Sequence, residues 1–404
     1  MKVCMFAPEL LPNRGGVGSY CVGLLRELSR TVDLTVLTPQ WWLGSESYTA
    51  RQIEAYFEGR LRVLITSEAR DSFLYNPRFQ WSVLRTLPGL LKRERFDLFH
   101  SHHAHMPDIL SRPFHPEIPT ARTVHSTIEG QREAIREAQL LGGSLSPVDQ
   151  WQIRMEPFLH LAERVMLGGP RDYFIPVSRW TVRQLLNRGI SAERIGLAPC
   201  GIDPDRFRPD LRSDDLRQTF PAKRLVIFPS RPTLIRGAGI LAQAIPKVLA
   251  AHPEAFFIIT GGTTADFPQL SSLPVSDRER VRLLGHLPYD KLPELFASCD
   301  IAVVPTYYDN LPIRLLESLA SGVPVVASDV GGIGEVVIPD RTGLLIEAGS
   351  SEQLAKAVNR LLDDESLRTA MSKAGRELVS TQYTWAQTAA ATVRAYEATL
   401  RAAG

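Results

Sequence analysis

Apolar runs of four or five residues alternate with longer amphipathic stretches along the whole chain. Parallel strands joined by crossover helices read this way in sequence. In the first half the runs predict strands at Val3–Ala7, Leu34–Thr38, Leu61–Ile65, Leu98–His100, Thr120–Val124, Phe174–Val177 and Ile195–Ala198. After a Pro-rich, charged stretch, PCGIDPDRFRPD, the series restarts at Leu225–Phe228, Phe256–Thr260, Val281–Leu284, Ile301–Val304, Val323–Ala327 and Leu344–Ile346. A chain of 404 residues outgrows one ordinary core. The pattern therefore predicts an α/β protein of two doubly wound domains, residues 1–204 and 205–383, facing across a cleft. The tail, residues 384–404, carries Trp385, Ala389, Val393 and Tyr396 at helical spacing, with no strand after it. It predicts a helix that packs back across the junction.

Composition narrows the partners. A formal net charge of +2 argues against a nucleic-acid binder held by a large basic face. The four cysteines are scattered, without the paired spacing of a zinc site or a redox dithiol. No apolar run approaches the ~20 residues that span a bilayer, and the short apolar run at the N-terminus does not suit a signal peptide. The expectation is a cytoplasmic protein. Val83–Arg95 is basic and partly amphipathic, which leaves peripheral contact with the inner face of a membrane open beside a solvated helix face.

Candidate chemistry is densest in VVPTYYDNLPIRLLESLASGVPVVASDVGGIGE, residues 303–335. A strand ends near Pro305, and the acids Asp309 and Glu317 follow eight positions apart. Pro312 suits the first turn of a helix, and Gly322 stands where a left-handed residue ends one. One carboxylate thus lies just before a helix start and the other inside the helix, both near the carboxyl end of a strand, where open α/β sheets bind ligands. The helix start attracts phosphate; carboxylates beside it suit sugar hydroxyls. The combination describes a nucleotide-sugar site. Arg231 and Arg236 follow the first strand of the same half, as a forked clamp for a diphosphate that supplies the neutralisation a metal otherwise provides.

In the first half, Gly15-Gly16-Val17-Gly18 lies between the first strand and a helix, where glycines let backbone approach an anion, or simply form a tight turn. His100, His102, His103 and His105 cluster at one strand end. An H-x-H pair can hold a metal, so a metal hydrolase is a rival reading, but no oriented carboxylates accompany it. His125 ends the next strand and is expected to point into the cleft. Trp41-Trp42-Leu43 reads as a loop beyond the second strand, either a satellite core cluster or an acceptor-binding wall.

Taken together, GGVG, FDLFHSH, His125, PVSRW, APCGIDPDRFRP, SRPTLIRG, GHLPYDKLPELFASCDIAVVPT and DNLPIRLLESLASGVPVVASDVGGIGE resemble the retaining glycosyltransferases of family 4, which have two Rossmann-like domains (the GT-B fold). The likeness runs through nearly the whole chain. It implies that Glu317 holds the ribose hydroxyls of the donor and that Asp309 contacts the donor sugar, with Asn310, Leu311 and Pro312 forming the helix start beside the diphosphate. Arg231 matches the phosphate-binding Arg of the family, and Arg236 stands where Lys is usual. Gly15 and Gly16 present backbone N–H groups near the diphosphate, and His125 faces the transferred sugar. On this likeness His125, Arg231, Arg236 and Asp309 are the catalytic candidates. Asp309 stands where the family has Glu and reaches about 1.5 Å less.

The resemblance implies transfer of a sugar, with retention, from a nucleoside-diphosphate sugar to a hydroxyl of a polysaccharide, glycolipid or small glycoside. It implies no cofactor and no required metal. A nucleotide-sugar binding protein without turnover and a non-hydrolysing sugar-nucleotide epimerase are the alternatives.

Overall fold

The computed structural model describes all residues except 13–14, 71–74, 104, 141–146, 170 and 404. The chain divides into two compact units. Unit 1 holds Met1–Glu129, Gln152–Gly201 and Trp385–Gly404; unit 2 holds Gly130–Trp151 and Ile202–Thr384.

Unit 1 is built on β1 (Lys2–Phe6), β2 (Asp33–Leu43), β3 (Glu46–Ser47), β4 (Arg62–Ala69), β5 (Leu98–His102), β6 (Thr120–Val124) and β7 (Asp172–Pro176). Their order is β3-β2-β1-β5-β6-β7, with β4 also paired to β2. Every pairing is parallel except the β2–β3 hairpin. Strands covered on both faces need no polar alternation, and β5, β6 and β7 are buried at every position. Unit 2 carries β8 (Arg224–Phe228), β9 (Ala255–Ile259), β10 (Val281–Leu283), β11 (Ile301–Val304), β12 (Val325–Ser328) and β13 (Gly343–Ile346). Their order, β10-β9-β8-β11-β12-β13, is parallel throughout. In each sheet the direction of winding reverses between two central strands, β1 and β5 in unit 1 and β8 and β11 in unit 2. Loops leaving the carboxyl ends of such a pair frame a crevice.

Several expectations are corrected. Ile195–Ala198 forms no strand: Ile195 makes a single bridge to Phe174, and Gly196 and Ala198 donate to the carbonyls of Phe174 and Pro176. Glycine and proline around it keep the run from extending. Trp41–Leu43 is no loop, because β2 continues through Leu43. The Trp41 ring is buried against Tyr75 and donates from Nε1 to the Pro8 carbonyl, which makes it a core cluster. Val83–Arg95 contributes to the helix Tyr75–Leu91, whose Val83, Leu87 and Leu90 sit in the core with Phe6, Phe79 and Phe99. Its apolar face is covered, while Arg85, Lys92, Arg93 and Arg95 face solvent. Among the described residues no helix is long and apolar enough to cross a membrane. Pro312 caps the helix Ile313–Ala320 from just outside rather than opening its first turn.

The last helix, Trp385–Ala403, belongs to unit 1 and buries Trp385, Thr388, Thr392, Ala395, Tyr396 and Thr399. The Trp385 ring lies so close to the helix Gly16–Leu28 that a Cβ on Gly23 would come within 2.1 Å of it. Only glycine allows that approach. Val393 lies at the edge of this face and is half-buried.

Candidate active site

In unit 2 the loops after β8 and β11 are tied together at the switch point. Tyr307 N–H and the Thr306 hydroxyl both donate to the Ile235 carbonyl, at 2.8 Å each. Gly237, at φ 79°, lies against the chain so tightly that a Cβ would fall 1.9 Å from the Pro305 carbonyl oxygen. Gly331, at φ 59°, is pressed against the Asp309 carbonyl in the same way, with a Cβ only 1.7 Å from that oxygen. Glycine is required at both places, by the left-handed backbone and by the lack of space. These contacts fix where Arg236 and Asp309 stand, and the two side chains form an ion pair with each other. The sequence reading sends one to phosphate and the other to sugar; the structure brings them together.

Arg231, at the end of β8, is exposed and has no ion-pair partner among the described residues. It lies beside the turn Gly261–Gly262, where a Cβ on Gly262 would come 3.3 Å from its Cγ. Asn310 and Leu311 are buried under the start of the helix Ile313–Ala320. What they offer is backbone, at a helix end whose first N–H groups have no intrahelical acceptor.

Glu317 is fully buried, and both of its oxygens are used. Oε1 accepts from the Tyr289 hydroxyl at 3.0 Å, and Oε2 accepts from Arg314 at 2.5 Å. Burial raises its pKa, and Arg314 opposes the rise. Burial also pushes the Tyr289 phenol well up, which keeps it a donor. Two guanidiniums lie over the Tyr289 ring, Arg206 at 4.3 Å and Arg314 at 5.6 Å from its centroid. A ribose that binds Glu317 must therefore exchange its hydroxyls for existing hydrogen bonds. Sequence reading missed Tyr289 and Arg206, which no spacing connects to Glu317. It also passed over Arg314, although a place three residues before Glu317 on one helix was a readable signal.

The unit 1 switch point is different in kind. Residues Gly15 and Gly16 begin the helix Gly16–Leu28, and a carboxylate of the same chain stands at its start. Glu9 Oε2 accepts from Gly18 N–H at 3.2 Å and lies 2.7 Å from where a Gly15 Cβ would be. His125 is half-buried, with Nε2 at 2.9 Å from His102 Nδ1 and the two rings stacked. Tyr20 meets His125 edge-on, centroid to centroid at 4.6 Å. His100 bonds to Tyr396 and Thr123, and His102 Nε2 to Cys21. The ring nitrogens of the H-x-H pair thus have protein partners. His103 pairs with buried Glu163, which also accepts from Ile128 N–H and so holds the turn after His125. Burial and neighbouring imidazoles hold His102 and His125 well below the ordinary histidine range.

Comparison with known proteins gives this geometry a context. Residues 214–378 match the family described as Glycosyl transferases group 1, and residues 14–206 match Glycosyltransferase Family 4. The chain is 27% identical over 424 residues to a glycogen synthase of Mycobacterium tuberculosis, covering 99% of this chain and 95% of that one. It is also 27% identical over 404 residues to a GDP-mannose-dependent alpha-(1-6)-phosphatidylinositol monomannoside mannosyltransferase of the same species, covering 95% of each. Its fold is similar to that of sucrose-phosphate synthase from Thermosynechococcus elongatus, with TM-score 0.78, 20% identity and 98% of each chain covered. With two family matches that between them take in most of its length, the chain belongs to the group 1, family 4 glycosyltransferases and is a glycosyltransferase of the GT-B fold.

Proposed function

We propose that this enzyme transfers a sugar, with retention at the anomeric carbon, from a nucleoside-diphosphate sugar to a hydroxyl of a carbohydrate or lipid-linked acceptor, without a required metal. One observation carries the reading. At the unit 2 switch point an exposed guanidinium, a second guanidinium paired with Asp309, and a helix start share the carboxyl end of one sheet. The GDP-mannose-dependent enzyme among its relatives supports a nucleotide sugar as donor.

In the proposed reaction the bond between the anomeric carbon and a diphosphate oxygen breaks, and charge gathers on the leaving group. Arg231, Arg236 and the helix start at Pro312 stabilise that charge, as preorganised donors do for a developing anion. The acceptor oxygen bonds to the anomeric carbon on the face the leaving group vacates, and its proton passes to a leaving phosphate oxygen. Glu317 accepts from the ribose hydroxyls once Tyr289 and Arg314 yield to them, and Asp309 accepts from the donor sugar. In unit 1, His125 hydrogen-bonds a sugar hydroxyl. The place of action is the cytoplasm or the inner face of its membrane.

A melting-temperature panel of nucleoside diphosphates and their sugars identifies the donor, because a ligand that binds only the folded state stabilises it. Release of nucleoside diphosphate is then followed with and without chelator, and the product anomer is assigned by NMR. If no nucleotide raises the melting temperature, the reading fails. Loss of turnover in chelator ends the metal-free part, and an inverted product ends retention.

A further inference from the structure

Three side chains from three elements form a hydrogen-bonded line in unit 1. Cys21 lies on the helix Gly16–Leu28, His102 ends β5, and His125 follows β6. Cys21 Sγ is 3.4 Å from His102 Nε2, and His102 Nδ1 is 2.9 Å from His125 Nε2. Cys21 and His102 are fully buried. We propose that the Cys21 thiol, acting through His102, fixes the single proton of His125 on Nδ1.

The argument is one of proton counting. A neutral imidazole has one N–H and one lone pair, and which nitrogen holds the proton follows from what the other nitrogen meets. Burial raises the Cys21 pKa well above its ordinary value, so the sulfur keeps its hydrogen. That hydrogen needs an acceptor. Cys299, just past the end of the helix Leu292–Ala297, donates to the Leu295 carbonyl four residues back. Cys21 instead has His102 Nε2 as its partner. An imidazole lone pair is a strong acceptor and a thiol sulfur a weak one, so S–H to Nε2 is the favoured sense of the contact. His102 then carries its proton on Nδ1 and donates it to His125 Nε2. His125, also neutral, is left with its proton on Nδ1.

The consequence concerns the reaction. His125 Nε2 is already an acceptor within the protein, so its Nδ1 is an N–H donor. His125 thus presents a donor to a sugar oxygen and does not act as a base. That last step rests on the proposed role of His125, whereas the tautomer does not. Cys21 and His102 are positioning residues.

The test uses the whole enzyme labelled with 15N-histidine. Long-range 1H–15N spectra report which ring nitrogen is protonated, and His125→Gln assigns the His125 pattern by its loss. The expected wild-type pattern is Nδ1–H on both His102 and His125. Cys21→Ala should release that preference, and Cys21→Ser, which keeps an O–H donor, should restore it. A packing role predicts the reverse order, since Ser buries an added polar group. If His125 serves the sugar, kcat/KM in Cys21→Ala falls by up to about tenfold, the worth of one hydrogen bond, and Ser recovers it. An Nε2–H pattern on His125 in the wild type overturns the relay and needs no variant to fold. An unchanged pattern in folded Cys21→Ala overturns it as well. The expected tautomer and its loss in Cys21→Ala, with unaltered kinetics, support the relay and sink only the role given to His125 in transfer.

Discussion

At the carboxyl end of the unit 2 sheet, β8 and β11 release loops that carry Arg231, Arg236 and Asp309, with Glu317 one helix further on. In unit 1 the corresponding strands are β1, which leads to Glu9 and the glycine turn, and β5, which carries His100 and His102 and leads to His103 and His105. The winding reverses at both places, yet the chemistry diverges. Unit 2 presents permanent charge, some of it exposed. Unit 1 presents the neutral imidazoles of His102 and His125 bonded to each other, and a helix start where one N–H is bonded to the Glu9 carboxylate. A doubly wound sheet provides a crevice, and the side chains in the loops decide what the crevice can hold. Charges suit a diphosphate. Neutral donors and acceptors with fixed tautomers suit hydroxyls, which need direction more than charge.

Four changes test this contrast, taken from the largest expected effect downward. Arg231→Ala should cut turnover by about 100- to 1,000-fold, the usual cost of losing one preorganised donor. Its melting temperature should hardly move, because an exposed side chain contributes within about 0.5 kcal/mol. Near-normal nucleotide release would remove Arg231 from the charge-binding side. Glu317→Gln should weaken nucleoside diphosphate binding by about 10- to 100-fold, since hydrogen bonds to a charged group contribute about 1.5–3 kcal/mol. Calorimetry checks this, and unchanged affinity counts against ribose binding there. Gly23→Ala should destabilise unit 1 by about 1–3 kcal/mol, because the new methyl overlaps the Trp385 ring. Denaturant unfolding reads it, and intact stability would mean that the last helix shifts at no cost.

The fourth test is the pH dependence, which has opposite signs in the two units. Burial, with a contribution from His125, takes His100 from 6.5 down to about 3. The unfolded chain then binds a proton that the folded one refuses. Stability from this group is present above pH 6.5 and is lost as pH falls toward about 3. Glu317 is shifted upward, so the folded state takes up its proton first. Acidification through that raised value adds stability from this carboxyl while removing a ribose acceptor. Subtracting the Glu317→Gln stability curve from that of the wild type isolates the second slope. A difference of the same sign as the histidine slope would break the contrast.

Much of this was legible in advance, for identifiable reasons. β11 has the same limits in sequence and structure because a buried parallel strand is a continuous apolar run bounded by turn residues, and β6 also matches although its run, TARTV, carries the buried Arg122. Asp309 and Gly322 were readable from their places around a helix, and Gly322 does adopt φ 74°. Trp41 misled, because an aromatic pair after an apolar run resembles a loop unless the partner strand β4 is known to continue beside it. Glu9 was passed over because nothing in its local spacing tells that it folds back onto the turn at Gly15.

The amino-acid sequence by itself determined the alternation of strands and helices, the two-unit α/β plan and the addresses of Arg231, Arg236, Asp309 and Glu317. Those depend on local periodicity and on residues whose conformational limits act within a few positions. Tertiary structure alone decided which charges are exposed and which are paired. It set Arg236 against Asp309, Tyr289 against Glu317 and Cys21 in line with His102 and His125. Burial and hydrogen-bond geometry depend on residues far apart in the chain, and no spacing rule carries that information.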